Sequence, residues 1–287
     1  MNAPVVVGFD GSPESLAATE WAVREAQRRR CPLTLLQAWP GPHRDVAGRD
    51  ETFRRAQEQL ASREAELSEM APGVPVTASP VSGDPVEALE EAGRTAALLA
   101  LGSHGLGTIR GYLTGSVSQE VLRRAACPVV LVRAQAPGAQ GGESDGPVVV
   151  GLDLAHPAED VLAFAFEAAA VRSAPLRVVH VWSPPAGTEY MSYGAIGGLE
   201  GEISSVEWNG LAKAVEVWRA RHPEVAVTAD LVRGKAAVEL VDAAATARLL
   251  VVGRRARHTP LRHHHLGPVA HAVVHHVHCP VAVVPYG

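Results

Sequence analysis

The sequence predicts an α/β protein built from two tandem copies of a parallel-sheet domain. Short apolar runs alternate with stretches of helical periodicity, which is typical of a parallel sheet covered by helices on its faces. The chain also repeats itself, because VVVGFD at residues 5–10 recurs as VVVGLD at residues 148–153. We therefore expect two similar domains, each with five parallel strands.

The repeat extends over most of the chain. LLALG at residues 98–102 corresponds to LLVVG at residues 249–253, and CPVVLV at residues 127–132 corresponds to CPVAVV at residues 279–284. Between the copies lies a segment rich in glycine and proline, with the composition of a linker. The predicted domains are residues 1–134 and 147–287, joined by a linker at residues 135–146.

The elements of the first copy follow from the same pattern. Apolar runs predict strands near residues 4–9, 33–39, 74–79, 97–102 and 128–133. Helical periodicity predicts helices near residues 13–29, 51–70, 84–94 and 115–125. Ser12 and Pro13 predict the start of the first helix, since serine caps helices and proline suits the first helical position. Ser116 has the capping-box spacing to Gln119 and predicts the start of another.

Composition and charge exclude several classes of protein. The 287 residues are 47% hydrophobic, which suffices for two cores, and a net charge of −5 argues against a nucleic-acid-coating protein. The three cysteines are too few for a disulfide framework. No signal-peptide pattern or membrane-spanning apolar run is found. The expectation is a cytoplasmic protein that binds neither nucleic acid nor membranes.

A glycine-rich loop follows the fourth predicted strand. Glycines at 102 and 105 allow a tight turn with no Cβ between backbone and ligand. Gly115 and Ser116 open the next helix, where free N–H groups and the helix dipole favour an anion. The loop is a candidate phosphate site, and a glycine-rich surface loop before a capped helix is the alternative interpretation.

This pattern resembles the ATP-binding signature of the universal stress protein family. The shared features are Gly102-x2-Gly105-x9-Gly115-Ser116 after an apolar strand, with Asp10 ending the first strand. The resemblance covers nearly the whole chain as two tandem domains. It implies two five-stranded parallel-sheet sandwiches of the adenine nucleotide alpha hydrolase-like, Rossmann-like kind. It further implies a cytosolic stress-response protein that binds ATP in its first domain, and it leaves a role for Mg²⁺ open.

The resemblance also implies roles for individual residues. Asp10 and the Gly8 backbone would meet the adenosine, and Ala38 would line its pocket. The ribose and phosphates would be surrounded by Gly102, His104, Gly105, Gly115, Ser116 and Val117. The residue types alone leave two alternatives open. Asp10 can instead cap the helix that follows it, and His104 can be an exposed loop residue.

The second copy departs from this pattern. Ala256 replaces the second glycine, and Pro268 replaces the serine, which removes a hydroxyl and an N–H from the anion site. The loop after Asp153 also lacks the Gly-Ser that follows Asp10. We expect this domain to bind ATP weakly or not at all. Positive side chains could still hold a polyanion there, and they are Arg254, Arg255, Arg257 and Arg262.

Two further features of the second copy invite interpretation. Eight of the 13 histidines fall between residues 258 and 278. On a helix, His271, His275 and His278 would share one face, a spacing that suits a metal ion. We favour a solvent-facing surface and predict no metal site, because no acidic or cysteine ligand is adjacent and valines form the opposite face. The glycine-containing insert at residues 183–209 is expected to be a surface loop.

The motifs favour a nucleotide-dependent regulatory or binding module, with no catalytic residue assigned. A slow ATP hydrolase is the alternative, although no Gly-x4-Gly-Lys-Ser/Thr loop is found and no paired carboxylates flank the glycine loop. An ATP-pyrophosphatase would show a Ser-Gly-Gly-x-Asp-Ser loop, which is absent. A nucleotide-independent interaction protein is the last alternative. The apolar strands at residues 128–132 and 280–284 predict pairing of the two domains within the chain, and a homodimer stays open.

Overall fold

A computed structural model of the chain describes most of its residues. The described ranges are 2–39, 49–103, 116–134, 145–156, 158–184, 193–255 and 266–287, with the backbone alone at 49, 50, 52 and 193–199. These residues form two compact units. The first contains the described residues up to 134, Leu266 and Pro280–Pro285. The second contains the described residues between 145 and 255, Gly267–Cys279 and Tyr286–Gly287.

Strands and helices alternate in the first unit. Its strands from the first copy are β1 (Val5–Gly8), β2 (Leu33–Trp39), β3 (Val76–Ser82), β4 (Leu98–Ser103) and β5 (Val129–Arg133). Its helices are α1 (Pro13–Arg29), α2 (Arg49–Met70), α3 (Pro85–Gly93) and α4 (Ser116–Arg124). The strand order is β3-β2-β1-β4-β5, and all neighbours in this series are parallel. The expected α/β fold with a parallel sheet is confirmed.

The second unit is built from the same alternation. Its elements are β6 (Val148–Gly151), α5 (Glu159–Ala170), β7 (Leu176–Trp182), α6 (Tyr193–Arg221), β8 (Val227–Arg233), α7 (Ala236–Ala243), β9 (Leu249–Arg255) and α8 (Pro268–His276). The order β9-β6-β7-β8 is parallel and repeats that of β4-β1-β2-β3. The last strand, β10 (Val281–Tyr286), pairs antiparallel with β5, and its residues up to Pro285 belong to the first unit.

Burial explains why these segments form central strands. Val5 and Val7 of β1 and Leu98 of β4 are completely buried, and β6 has the same pattern as β1. Strands that are covered on both faces need continuous apolar runs, which is the pattern in the sequence. The predicted start of α1 is confirmed, because Ser12 is its N-cap and Pro13 opens the helix.

The third strand lies later in the sequence than expected. It was predicted at residues 74–79, but β3 begins at Val76 and continues through Pro80 to Ser82. Proline cannot donate a ladder hydrogen bond and is therefore rare in central strands. Since β3 is the outer strand of this unit and pairs with β2, a proline is tolerated in it.

The prediction of a surface loop at residues 183–209 is wrong from residue 193 onward. There the chain forms α6, which continues to Arg221. Leu211 and Val215, one helical turn apart, are completely buried and anchor the helix. The glycines at its beginning favoured a loop by propensity, but a helix fixed by downstream packing extends back through them.

The histidines of α8 do not all face solvent. His271 is exposed, but His275 is 8% exposed and therefore buried, and its ring centroid lies 4.4 Å from that of His271. The helix ends at His276, so His278 does not continue its face. The expectation of a shared solvent-facing surface is therefore wrong at His275, because the last turn of α8 packs inward through Val273, Val274 and His275.

The described part of the chain has neither a cluster of metal-binding side chains nor a helix suited to a membrane. It contains no group of three or more His, Cys, Asp or Glu side chains that could hold a metal ion. None of its helices has both the length and the apolar character needed to cross a membrane.

Leu67 and Met70 give a matched test of how α2 is held. Leu67 is completely buried and Met70 is 51% exposed in the same helix. We expect Leu67→Ala to lower the free energy of unfolding by about 2–5 kcal/mol, because it removes buried methyl groups and leaves a cavity. Met70→Ala should change it by less than about 0.5 kcal/mol. Urea denaturation followed by circular dichroism measures both, and equal effects would contradict the described packing of α2.

Candidate functional site

A cleft of about 370 Å³ opens at the carboxyl ends of β1, β2 and β4 in the first unit. Ligands of open parallel sheets bind at this edge, because the loops that follow the strands meet there. Apolar side chains from the strands and from α3 form its walls, and these are Phe9, Leu36, Leu101, Pro85 and Leu89. Polar groups enter from the loop after β1 and from the first turns of α1 and α4.

Six of the predicted site residues line this one cleft. They are Gly8, Asp10, Ala38, Gly102, Ser116 and Val117. The other three, His104, Gly105 and Gly115, lie outside the described residues. The glycine loop is therefore described at its two ends, the end of β4 and the start of α4.

A tight turn after β1 positions Asp10. Gly11 has a φ of +80°, which glycine adopts without strain, and this bends the chain from β1 into α1. The Asp10 Oδ1 atom accepts hydrogen bonds from the Ser12 N–H at 2.9 Å and from the Ser12 hydroxyl at 2.6 Å. The Ser12 hydroxyl in turn accepts from the N–H of Ser15 at 3.2 Å. Ser12 is thus the cap of α1, and Asp10 holds the cap in place.

The hydrogen bonds of this turn keep Asp10 ionised. Burial acts to raise the pKa of Asp10, but the hydrogen bonds that the Ser12 hydroxyl and the Ser12 N–H donate to its carboxylate lower it and prevail. The pKa of the carboxyl group therefore lies below its usual range. At neutral pH, Asp10 presents a carboxylate to the cleft, and a carboxylate accepts hydrogen bonds from ligand hydroxyl or amino groups.

Gly102 is required by a close approach of two backbones. A Cβ at this position would lie 2.5 Å from the Glu14 carbonyl carbon and 2.7 Å from the Ser15 nitrogen. No side chain fits there, so the end of β4 can lie directly against the first turn of α1. The Gly102 carbonyl also accepts a hydrogen bond from the Ser118 hydroxyl at 3.1 Å, which ties the first turn of α4 to the same point.

Ser15 and Ser118 are two polar residues of the cleft that the sequence analysis missed. The Ser15 hydroxyl accepts from the Asp10 N–H at 3.4 Å and donates to the Ser12 carbonyl at 3.0 Å. Comparison of the two copies of the repeat could have identified both residues. Their counterparts in the second copy are Ala158 and Ala270, so both hydroxyls belong to the copy that retains the glycine motif.

The charges in the cleft are asymmetric. Its described lining contains the acidic residues Asp10 and Glu14 and no Lys or Arg. The first turn of α4 also borders the cleft, and the N–H groups of a first helical turn have no acceptor within the helix. The cleft therefore offers acceptors for the hydroxyl or amino groups of a ligand and N–H donors for an anionic group.

The second unit has a cleft of about 390 Å³ at the equivalent edge. Gly151, Asp153, Val181, Gly253 and Val269 line it and correspond to predicted residues of the first copy. The three serine hydroxyls of the first cleft have no counterpart in it, because Ser15, Ser116 and Ser118 are replaced by Ala158, Pro268 and Ala270. The N-cap of α8 is Gly267, which makes no side-chain capping bond.

The arginines proposed to hold a polyanion in the second copy are described only in part. Arg254 is buried and Arg255 is exposed at the end of β9. Neither of them lines the described cleft. Arg257 and Arg262 lie outside the described residues, as does Ala256.

Comparisons with known proteins agree with this architecture. A model described as the universal stress protein family matches residues 1–133 and 146–285. A universal stress protein of Mycobacterium tuberculosis is 34% identical over 298 residues, which cover 97% of this chain and 96% of that protein. A second one from this species is 32% identical over 265 residues, which cover 88% of this chain and 86% of that protein.

Solved structures show the same fold. A universal stress protein from Archaeoglobus fulgidus superimposes with a TM-score of 0.72 at 18% identity and covers 100% of this chain and 99% of its own. A protein from Pseudomonas aeruginosa, described as a putative universal stress protein, gives a TM-score of 0.61 at 17% identity and covers 99% and 94%.

Ser12→Ala tests the turn that holds Asp10. We expect the variant to raise the pKa of Asp10, because it removes the hydroxyl that donates to the carboxylate. A carboxyl group with a lowered pKa adds stability at neutral pH that is lost as the pH falls through that pKa. The destabilisation by Ser12→Ala should therefore be larger at neutral pH than below the pKa of Asp10.

An NMR titration of the Asp10 carboxyl carbon measures the shift, and urea denaturation at both pH values measures the stability. Ser62→Ala, at an exposed position of α2, is the control and should leave the titration of Asp10 unchanged. The described turn would be contradicted by an Asp10 titration that is identical in the wild-type protein and in Ser12→Ala.

Proposed function

Because the chain belongs to the universal stress protein family, we propose that its first unit binds ATP and that the protein acts as a nucleotide-dependent regulatory or binding module in the stress response. One observation carries this proposal. Six residues of the sequence motif line one cleft, which places a carboxylate and a helix N-terminus around the same space. Domains at residues 1–134 and 147–287 and a cytoplasmic location remain part of the proposal.

The two sides of the cleft suit the two ends of ATP. At one side, the Asp10 carboxylate would accept hydrogen bonds from the ribose or the adenine amino group, with Ala38 and Leu36 against the base. At the other side, the first turn of α4 would hold the phosphates through its N–H groups and the Ser116 hydroxyl. His104, Gly105 and Gly115 complete the phosphate loop in this proposal.

The cleft also offers oxygen ligands for a Mg²⁺ ion bound to the nucleotide. Two acidic residues, Asp10 and Glu14, line it, and carboxylates with phosphate oxygens are the ligands that Mg²⁺ prefers. When bound, the ion would neutralise part of the phosphate charge in a cleft whose described lining contains no Lys or Arg. This donor set fits a Mg–ATP complex.

Binding without rapid turnover is the activity this lining supports. Phosphoryl transfer depends on positive groups that stabilise charge on the transferring phosphate, such as an arginine or a P-loop lysine. The described lining supplies neither. ATP would accordingly act as a bound regulator. The two competing functions that the tests must distinguish from it are slow ATP hydrolysis and a role that is independent of nucleotide.

The first test is to release bound small molecules from the freshly purified chain by mild denaturation and to separate them by chromatography. We expect close to one adenine nucleotide per chain, with a ratio of ATP to ADP that is stable for hours in the intact protein. Steady conversion to ADP would indicate the hydrolase. If no nucleotide is recovered and added ATP does not bind, the chain is an interaction protein and the proposal fails.

The variant Ala38→Phe tests whether the nucleotide binds in the first unit. Ala38 lines the cleft, so a phenyl ring there fills space that the base would occupy. We expect calorimetric titration with Mg–ATP to show an affinity lowered at least about tenfold, a loss of about 1.4 kcal/mol of binding free energy. Ala61→Phe, at an exposed position of α2, is the matched control and should bind as the wild-type chain does. Equal binding by both variants would place the nucleotide elsewhere.

A further inference from the structure

The outer strand of the second unit, β8, pairs with β7 through only one side of its backbone. The Leu176 N–H donates to the Ala226 carbonyl, and the Gly234 N–H donates to the Trp182 carbonyl. Successive residues of a strand direct their N–H and C=O groups to opposite sides, so the even-numbered residues from 226 to 234 face β7. The backbone groups that point away from β7 are those of Val227, Ala229, Leu231 and Arg233.

The equivalent side of the first unit is blocked at two neighbouring positions. By the same alternation, the backbone groups of Ala78 and Pro80 in β3 point away from β2. The Ala78 N–H already donates to Oε1 of Glu64 on α2 at 2.9 Å. Pro80 has no N–H to donate. A second strand therefore finds no available donor at either residue.

The second unit lacks both of these blocks. Leu231 stands at the position of Pro80 and supplies an N–H. Val215, which is completely buried, replaces Glu64, so the carboxylate that caps this position in the first unit has no counterpart. Within the described part of the chain, the N–H groups of Ala229 and Leu231 have no hydrogen-bond partner. Such an outer strand is a template for pairing with another chain.

An open groove of about 490 Å³ lies along this strand, beside α6. Trp208 lines it together with Ala229 and Leu231, and the tryptophan is 46% exposed. Arg233, two residues beyond Leu231 and on the same face of the sheet, forms an ion pair with Glu200 of α6 at 2.8 Å. The side chains of a strand that pairs with Ala229 and Leu231 would therefore lie on the α6 side, near the indole.

The β8 strand of a second molecule fits this position. Antiparallel pairing around a two-fold axis at Asp230 places Ala229 of each molecule opposite Leu231 of the other. Each of these two residue pairs exchanges two N–H···O=C bonds, which gives four hydrogen bonds from the groups that are open. The apolar alanine and leucine side chains then meet in the groove. Arg219, which donates to the Val227 carbonyl at 2.9 Å, ends the open stretch.

The charges at this axis are compensated within each molecule. The two Asp230 carboxylates would lie opposite each other, and like charges in that position are destabilising when they are unpaired. Each Asp230, however, is bound by Arg177 of its own molecule, with 2.5 Å between Oδ2 and Nε. The face of the paired strands thus carries two arginines with two carboxylates and no net charge.

Two observations favour a second molecule of this chain as the partner. First, β5 lies antiparallel to β10, its counterpart in the repeat, so a strand of this repeat already pairs with its own kind. Second, β3 of another molecule is blocked by Glu64 and Pro80, which leaves its β8 as the open outer strand. Pairing of β8 with β8 uses the same surface on both molecules and closes as a dimer rather than a filament.

We propose that β8 and the adjoining surface of α6 form an interface between two molecules of this chain, in which the β8 strands pair antiparallel around Asp230. Trp208 of each molecule covers the apolar side of the paired strands. The interface is separate from both clefts, because none of residues 227–233 lines either of them. Dimer formation is therefore independent of nucleotide, and it stands or falls apart from the proposed function of the first unit.

Sedimentation velocity of the full chain over a wide range of concentrations measures the dimer. We expect a reversible dimer whose fraction rises with concentration. Leu231→Pro gives β8 the proline that β3 has, and it removes an N–H that takes no part in pairing with β7. We expect it to lower the association constant at least about tenfold, because two of the four hydrogen bonds are lost, one from each molecule.

Trp208→Gln tests the interface without a change in the backbone. Gln57 occupies the corresponding position in the first copy, so the substitution suits an exposed helical residue. We expect it to lower the association constant at least about tenfold, since aromatic anchors dominate the affinity of interfaces. Met70→Gln, at a residue that is 51% exposed on α2, is the matched control and should leave the dimer unchanged. Circular dichroism confirms that each variant is folded.

A cysteine at the axis tests the register of the two strands. Directly opposite residues of this kind have Cα atoms about 4.5 Å apart, a distance that a disulfide spans. We expect Asp230→Cys to form disulfide-linked dimers under mild oxidation on a non-reducing gel. Thr228→Cys is the matched control, because Thr228 would lie opposite Val232 and not opposite itself. The wild-type chain gives the background from its own cysteines.

A chain that sediments as a monomer at every concentration overturns the proposal and leaves an extended segment of another protein as the partner of β8. A dimer that both Leu231→Pro and Trp208→Gln leave intact also overturns it, because the molecules then meet through another face. Equal cross-linking of Asp230→Cys and Thr228→Cys contradicts the register. If Leu231→Pro does not fold, Trp208→Gln and the two cysteine variants decide.

Discussion

The backbone contact between the end of β4 and the first turn of α1 determines where the first cleft lies. Gly102 permits it, because any side chain there would overlap the backbone of Glu14 and Ser15. The same turn is capped by Ser12 and supported by Asp10. Ser118 then attaches α4 to the Gly102 carbonyl. One glycine thus brings a strand end, a carboxylate and two helix N-termini around a single space.

The sequence predicts the fold well where local pattern and tertiary packing agree. The buried strands β1, β4 and β6 are continuous apolar runs, and Ser12-Pro13 marks a helix start by its own chemistry. Prediction from the sequence fails where contacts between residues that are distant in the sequence determine the structure. Pro80 lies within a strand because β3 is an outer strand. The glycines at the start of α6 are helical because Leu211 and Val215, later in the same helix, are buried and anchor it. His275 is buried by the packing of the helix end.

The candidate site shows the same division. Motif residues at the ends of strands converge on one cleft because parallel strands present their carboxyl ends at one edge. Ser15 and Ser118 were missed because a hydroxyl in the first turn of a helix is usually a cap or a surface group. The contact between the Tyr286 ring and Gly253 in the second unit could not be predicted from the sequence. Tyr286 meets Gly253 from a strand that follows another helix, and no spacing in the sequence encodes that contact.

Pro80 also affects how the first unit meets other chains. β3 is the last strand in the order of its sheet, and an outer strand offers its N–H and C=O groups to any extended segment that approaches. A proline supplies no N–H, so a foreign strand laid along β3 would meet a gap in the hydrogen-bond ladder. Pro80 therefore disfavours edge-to-edge pairing along β3, including during synthesis, when strands are exposed before their helices have packed.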